Sequence, residues 1–308
     1  MKVRFECPLD FISEAELQKL LLDNQITIEN DDPTIILVNP GTEKFLDWNH
    51  FKKYKSLQVV ATPSTGTNHI DVATLNSKGI KVFCLLDDRD TLENIHASAE
   101  FTWIHIMNLV RKFNVAVNNK TEWRSSNNEL KLRSNELNGK TIGIIGMGRI
   151  GKKIAKYASA FGLNIKYYDP YVAQEDAPGY ARKLLDIKDI GLCQIISINC
   201  YLTNETKNMI TWGIWDDISP GTIIVNTSRG EVVDEHYISY LVESKNISFG
   251  ADVLANEQSL DDLKKSPLYI LSQKNDNVVI TPHVAGATVE SQLKALVSSI
   301  KLSKIYLK

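Results

Sequence analysis

Three polar residues suited to acid–base and anion chemistry stand at equivalent places in the chain, each just past an apolar, β-branched run. Arg229 follows TIIVNT (222–227), Glu257 follows ISFGADVL (247–254) and His283 follows NVVIT (277–281). If these runs are parallel strands of one open sheet, the three residues share the rim outside the carboxyl ends, where ligands bind. An arginine fork pairs with a carboxylate and polarises a neighbouring carbonyl. Histidine is the group on this rim suited to proton exchange near neutral pH. A glutamate on the other ring nitrogen fixes the tautomer and favours the imidazolium. Each residue alone admits a plainer role, as a helix cap, a solvated carboxylate or an exposed loop histidine. The combination carries the reading.

A second signal is Gly146-Met147-Gly148-Arg149-Ile150-Gly151, directly after the strand-like TIGII. The first glycine permits a tight turn, the second lets backbone approach a pyrophosphate, and the third lets the next helix pack on the strand. That helix, IGKKIAKYASAFG, places Ile150, Ile154, Ala158 and Phe161 on about one face. Its N-terminal N–H groups and dipole favour an anion. The following run, NIKYYD, ends in Asp169, 18 residues beyond Gly151. A carboxylate there accepts the ribose hydroxyls of NAD and repels the 2′-phosphate of NADP. No Arg or Lys occurs within Asp169-Pro170-Tyr171 to receive that phosphate, so NAD is the expected cofactor. Anion clamp, proton donor and orienting carboxylate are then the set needed for hydride transfer to a 2-oxo acid.

These residues must be positioned by alternating elements. TIILVN (34–39), SLQVVAT (56–62) and IKVFCLL (80–86) read as buried strands, with a short helix over 68–79, making a first parallel α/β unit of about 100 residues. A second series contains KTIGIIG (140–146), NIKYYD (164–169), IISINC (195–200), TIIVNT (222–227), ISFGADVL (247–254) and NVVITPH (277–283). Strands alternating with helices at this spacing imply an α/β fold with a doubly wound parallel sheet. Residues 93–119 read as one long helix joining the units, 121–139 as a loop, and 287–307 as a terminal helix whose pattern leaves its docking open.

The 308 residues carry 35 Lys+Arg against 37 Asp+Glu, a formal net charge of -2, so nothing in the balance invites nucleic acid or an anionic membrane. The composition is that of a globular chain. No stretch of about 18 apolar residues and no leader segment is seen. Cys7, Cys84, Cys193 and Cys200 form no CxxC pair and read as reduced thiols, which makes the cytoplasm the expected compartment. His50, His69, His96, His105 and His236 show no metal-ligand spacing, and no metal site is expected.

The sequence resembles the D-isomer-specific 2-hydroxyacid dehydrogenases, which include D-lactate, glyoxylate/hydroxypyruvate and D-3-phosphoglycerate dehydrogenases. The resemblance rests on ATPSTGTNHID (61–71), ELNGKTIGIIGMGRIGKKIA (136–155), INCYLTNETKNMI (198–210), VNTSRGEVVDE (225–235), GADVLANE (250–257) and TPHVAGAT (281–288), which span most of the chain. It implies a Rossmann doubly wound domain, 102–285, that binds NAD, and a smaller flavodoxin-like α/β substrate domain, 1–101 with 286–308. It also implies that Arg229 binds the substrate carboxylate and carbonyl, that His283 is the acid/base, and that Glu257 supports it. Ser64, Thr65 and Gly66 would offer backbone amides to the substrate carboxylate. Thr203, Thr227 and Asp252 match positions that line the nicotinamide or adenosine. A homodimer is implied as well.

Some positions depart from the family's pattern. Asn199-Cys200-Tyr201-Leu202-Thr203 lacks the histidine often found before the P-L-T segment, and Gln258 replaces the usual proline after the glutamate. Asn39-Pro40-Gly41-Thr42 stands where phosphoglycerate dehydrogenases tend to carry an arginine-rich, phosphate-binding segment, so the expected substrate is not phosphorylated. The length leaves no room for the C-terminal regulatory domain of longer phosphoglycerate dehydrogenases. The rival expectation from another class is an NAD(H)-sensing regulator or corepressor on the same fold, against which the Arg229, Glu257 and His283 set counts.

Overall fold

The computed structural model describes residues 1–39, 45–119, 123, 125–257 and 259–307. They form two compact units, Met1–Ile95 with Ala287–Lys308, and His96–Gly286. Most of the Asn39–Thr42 stretch and Gln258 lie outside the described residues.

The first unit holds a five-stranded parallel sheet of β1 (Lys2–Glu6), β2 (Thr27–Ile28), β3 (Ile35–Val38), β4 (Val59–Ala61) and β5 (Lys81–Phe83). Its order, β2-β1-β3-β4-β5, is the flavodoxin-like one. Every residue of β3 and β4 is buried, as expected for parallel strands covered on both faces, and this is why they read as unbroken apolar runs. β1 escapes the apolar-run criterion because Lys2, Arg4 and Glu6 alternate with Val3 and Phe5. The apolar run over 80–86 gives only three strand residues. The chain then tightens into a 3₁₀ turn, Leu85–Asp87, where the Asp87 side chain accepts from the Cys84 amide. The terminal helix, Val289–Tyr306, starts at a Thr288 cap and buries Leu296 and Ile300 against Val3, Ile35 and Leu37. Its Ser298 hydroxyl donates to Asp88 at 2.8 Å, so this segment belongs to the first sheet.

The second unit is a seven-stranded parallel sheet of β6 (Thr141–Ile145), β7 (Asn164–Tyr168), β8 (Ala181–Lys183), β9 (Ile195–Ile198), β10 (Ile223–Asn226), β11 (Ser248–Ala251) and β12 (Val278–Ile280). The order is β12-β11-β10-β9-β6-β7-β8. Its first six strands in chain order reproduce the Rossmann 3-2-1-4-5-6 arrangement, and β12 adds a seventh. The chain order reverses between β6 and β9, and that switch point is where an open sheet leaves a crevice. β8, three residues with two basic side chains, gives no apolar signal.

The continuous helix expected over 93–119 is instead three helices, Arg89–Glu93, Ala97–Arg111 and Phe113–Asn118. Lys112 breaks it by taking a left-handed conformation, φ 49°, and the Asn108 side chain accepts the Asn114 amide at 2.8 Å. The apolar pattern does not show the break, because Phe113, Val115 and Val117 continue it past Lys112. The segment 121–139, expected as a loop, contains a helix over Ser126–Leu132. The central helix buries Ala99, Ile106, Leu109 and Val110 with Ile142, Ile144 and Val225 of the sheet.

Candidate active site

β10, β11 and β12 are adjacent and parallel, so the residues just beyond them share one edge. The pairs Asn226–Ala251 and Ala251–Ile280 are in register. His283 and Glu257 meet there, with His283 Nδ1 2.5 Å from Glu257 Oε1. The other Glu257 oxygen accepts the Leu254 amide at 3.1 Å, which aims the carboxylate. The glutamate raises the His283 pKa above the ordinary histidine value, chiefly through this hydrogen bond. Burial and the Arg229 charge act against the rise, and Asp252 adds to it. With Nδ1 committed to Glu257, Nε2 is the nitrogen left for a reacting group. The imidazole is about half exposed, with 49% of its side-chain surface open.

Two residues of this cluster have left-handed backbone, His283 at φ 53° and Asn256 at φ 57°. Asparagine and histidine both enter that region more readily than most residues, at a cost of about 1–3 kcal/mol that is typical of functional turns. The surrounding bonds enforce it. The His283 amide donates to Asp252 O at 2.9 Å. The Asp252 carboxylate, 1% exposed, accepts the Thr281 hydroxyl at 2.6 Å, the Val284 amide at 3.0 Å and the Ala285 amide at 2.7 Å.

Arg229 is set on its loop by a neighbour that its own sequence motif does not disclose. Asn226, fully buried at the end of β10, accepts the Ser228 amide and hydroxyl on Oδ1 and donates from Nδ2 to Arg229 O at 2.9 Å. The guanidinium donates from Nη1 to Ser228 O at 2.7 Å. Gly230 then lets this loop touch the next one. A Cβ there would stand 2.0 Å from Leu254 C and 2.2 Å from Ala255 N, so any side chain would push the arginine and glutamate loops apart. Glu235 completes the bracing by accepting the Ala255 amide at 2.8 Å and the Ser266 hydroxyl at 2.6 Å. The detectable signal for Asn226, Asp252 and Thr281 was a polar residue closing an apolar parallel strand.

At the β6–β7 end the glycines divide as their order requires. Gly146 has φ 88° and packs on the Asn199 backbone, and a Cβ on Gly151 would meet Gly146 O at 2.1 Å. A Cβ on Gly148 would meet no protein atom within 4 Å, so packing does not explain that glycine, whereas a backbone cradle for a pyrophosphate does. Arg149 opens the helix Arg149–Ala160, which has no side-chain cap, and half-buried Ile150 packs on the core beneath. Phe161, placed on the helix's apolar face by its spacing, ends the helix and is 44% exposed against Trp103. Asp169 follows β7 directly. It accepts the Met147 amide at 2.8 Å on one oxygen and the Tyr171 and Val172 amides on the other, tying this carboxylate to the glycine loop. The residues present fit a dinucleotide. Burial pushes the Cys200 thiol up to about 11, which favours its protonated form.

Thr227 shares a 2.6 Å bond with Thr102 of the helix Ala97–Arg111. The Thr203 hydroxyl is exposed and accepts the Glu205 and Thr206 amides, capping its own turn. In the first unit, Ser64, Thr65 and Gly66 follow β4 as a tight turn. Its Ser64 hydroxyl donates to Gly66 O at 2.7 Å, and Ser64 O accepts the Leu85 amide. Among the described residues no group of three His, Cys, Asp or Glu side chains is arranged for a metal ion, and no helix is long and apolar enough to cross a membrane.

An arginine, a histidine–glutamate pair and a glycine cradle on one Rossmann edge define a dinucleotide-linked site. Residues 103–285 match the D-isomer specific 2-hydroxyacid dehydrogenase, NAD binding domain, and the chain belongs to that family. NAD is the cofactor of this domain. The chain is similar to D-3-phosphoglycerate dehydrogenase of Mycobacterium tuberculosis, 32% identical over 243 residues, 78% of this chain and 43% of that protein. It thus spans less than half the length of that relative. Hydroxypyruvate reductase of Thermotoga maritima is 31% identical over 293 residues, 94% of this chain and 87% of that one. Among solved structures, D-lactate dehydrogenase of Aquifex aeolicus complexed with NAD and lactic acid aligns with TM-score 0.76 at 25% identity, covering 100% of this chain and 95% of that one.

Proposed function

We propose that the protein is an NAD-dependent oxidoreductase interconverting a 2-oxo acid and the D-2-hydroxy acid, with His283 as the acid/base. The observation that carries this reading is the 2.5 Å His283–Glu257 bond on the sheet edge that also carries Arg229 and the glycine cradle. Bound NADH supplies the hydride, and NAD accepts it in the reverse direction. The Arg229 fork pairs with the substrate carboxylate and polarises its C2 carbonyl. His283 Nε2 gives its proton to the carbonyl oxygen, and Glu257 stabilises the imidazolium before transfer and fixes its tautomer after it. Asp169 favours NAD over NADP. Thr203, Thr227 and Asp252 shape the loops that line the cofactor.

The first unit serves as the substrate domain. The Ser64 hydroxyl is used in closing its turn, so the amides around Thr65 and Gly66 are what that turn offers a carboxylate. The substrate is a non-phosphorylated 2-oxo acid, and the enzyme works in the cytoplasm as a homodimer. The exposed Ile104 (59%) on the long helix and Phe113 (65%) just past it support dimer contacts there.

The test is NADH and NADPH oxidation against glyoxylate, pyruvate, hydroxypyruvate, phosphohydroxypyruvate and bulkier 2-oxo acids. Turnover with NADH and one of the non-phosphorylated acids is expected. Tight NADH binding with no turnover on any of them would overturn the reading in favour of an NAD(H)-responsive regulator.

A further inference from the structure

His105 lies on the helix Ala97–Arg111, one layer beneath the acid/base loop, and is 2% exposed. Its Nε2 is 3.0 Å from Thr281 Oγ1. The Thr281 hydroxyl proton already goes to Asp252 Oδ1, at 2.6 Å, so the threonine oxygen is left to accept and Nε2 must carry the hydrogen. Nδ1 is then a bare acceptor. It is buried and has no hydrogen-bond partner. An apolar side chain would avoid that cost, because a buried polar atom without a partner is disfavoured. The surroundings make room for the ring. A Cβ on Gly250 of β11 would stand 3.0 Å from His105 Nδ1, and Phe101 packs edge-on at 5.4 Å between centroids. Burial holds the imidazole pKa below the ordinary value, with Asp252 opposing, so the neutral donor form is maintained.

We propose that His105 is a positioning residue for His283. The bonds run from His105 Nε2–H to Thr281 Oγ1, from Thr281 O–H to Asp252, and from the Val284 and Ala285 amides back to Asp252. They bracket His283 from both sides of the chain and hold its left-handed turn against Glu257. The charged and titratable groups facing this pair of histidines are Asp252, Glu257 and Arg229. The proposal rests on the reading of His283 as the acid/base.

The test compares His105→Leu, which removes the donor, with His105→Gln, which keeps one. His105→Leu is expected to lower kcat about tenfold. The Kd for NADH should stay within about twofold of the parent protein, and the alkaline midpoint of the kcat/KM profile for reduction should move to lower pH as His283 loses its grip on Glu257. His105→Gln should recover most of kcat and return the midpoint. A folded His105→Leu protein with unchanged kcat and pH profile would overturn the proposal, as would equal losses in both variants with an unmoved profile. If His283→Ala is inactive while His105→Leu is normal, only the positioning role fails. If His283→Ala stays active, the acid/base reading itself fails.

Discussion

The β6–β7 end of the seven-stranded sheet builds its half of the site mainly from backbone, and the β10–β12 end builds its half from buried and half-buried side chains. At the first end three glycines, a helix start and one carboxylate on backbone amides make the cradle, and its open face is Gly148. At the second, Asn226, Asp252, Thr281 and Glu235 sit behind Arg229, Glu257 and His283 and bond the loops that carry them. The proposed function accounts for the difference through the ligand each end would meet. A pyrophosphate is recognised by oriented N–H groups, which glycine exposes. A proton donor must be held at a fixed tautomer and angle, which requires side chains with buried partners.

The sharpest way to break this contrast is Asp252→Ala. Three donors, the Thr281 hydroxyl and the Val284 and Ala285 amides, would lose their acceptor. A stability loss of about 3 kcal/mol or more is expected in urea denaturation, together with loss of most turnover. An intact pH profile and stability would show that the loop holds itself.

The glycines offer a matched pair. Gly151→Ala places a Cβ against Gly146 O and should cost about 1–3 kcal/mol of stability. A Cβ on Gly148 meets no protein atom within 4 Å, so Gly148→Ala should leave thermal stability in place while the Kd for NADH, read by fluorescence titration, rises at least about tenfold. Similar effects of the two substitutions on stability would erase the distinction between packing glycine and cradle glycine.

Glu257→Gln sharpens the electrostatic half. The carboxylate raises the His283 pKa, and the proposed reduction would need the imidazolium, so kcat/KM for an oxo acid should fall as pH rises through that raised value. Removing the charge should shift the midpoint towards the ordinary histidine value, so reduction is lost at lower pH. A midpoint that stays in place would assign the titration to another group. The smallest effect is expected at Asn256, whose φ is 57°. Asn256→Ala should cost about 1 kcal/mol and Asn256→Gly only a few tenths, measured as urea midpoints.

The same contrast explains how much could be read from sequence. The strand–glycine–helix–strand–carboxylate string announces the backbone half in one stretch, because one local βαβ unit builds it. Arg229, Glu257 and His283 could be named only by reading just past successive apolar runs, since their proximity depends on parallel pairing of distant strands. Thr281, Glu235 and His105 gave no reading of their own, because their side-chain partners in other elements are 20 to 176 residues away along the chain. The break at Lys112 was hidden for a similar reason, since an amphipathic pattern does not register one left-handed residue. Short, charged strands such as β1 and β8 are ordered by neighbouring strands and not by their own apolar content.

The central claim is that one end of the sheet binds the dinucleotide while His283, at the other, moves the proton. It is tested most directly by measuring NADH affinity and single-turnover reduction side by side in the parent protein and in His283→Ala. The Kd for NADH is expected to stay within about twofold and the reduction rate to fall about 10²–10⁴-fold. Near-parental reduction by a folded His283→Ala protein would contradict it.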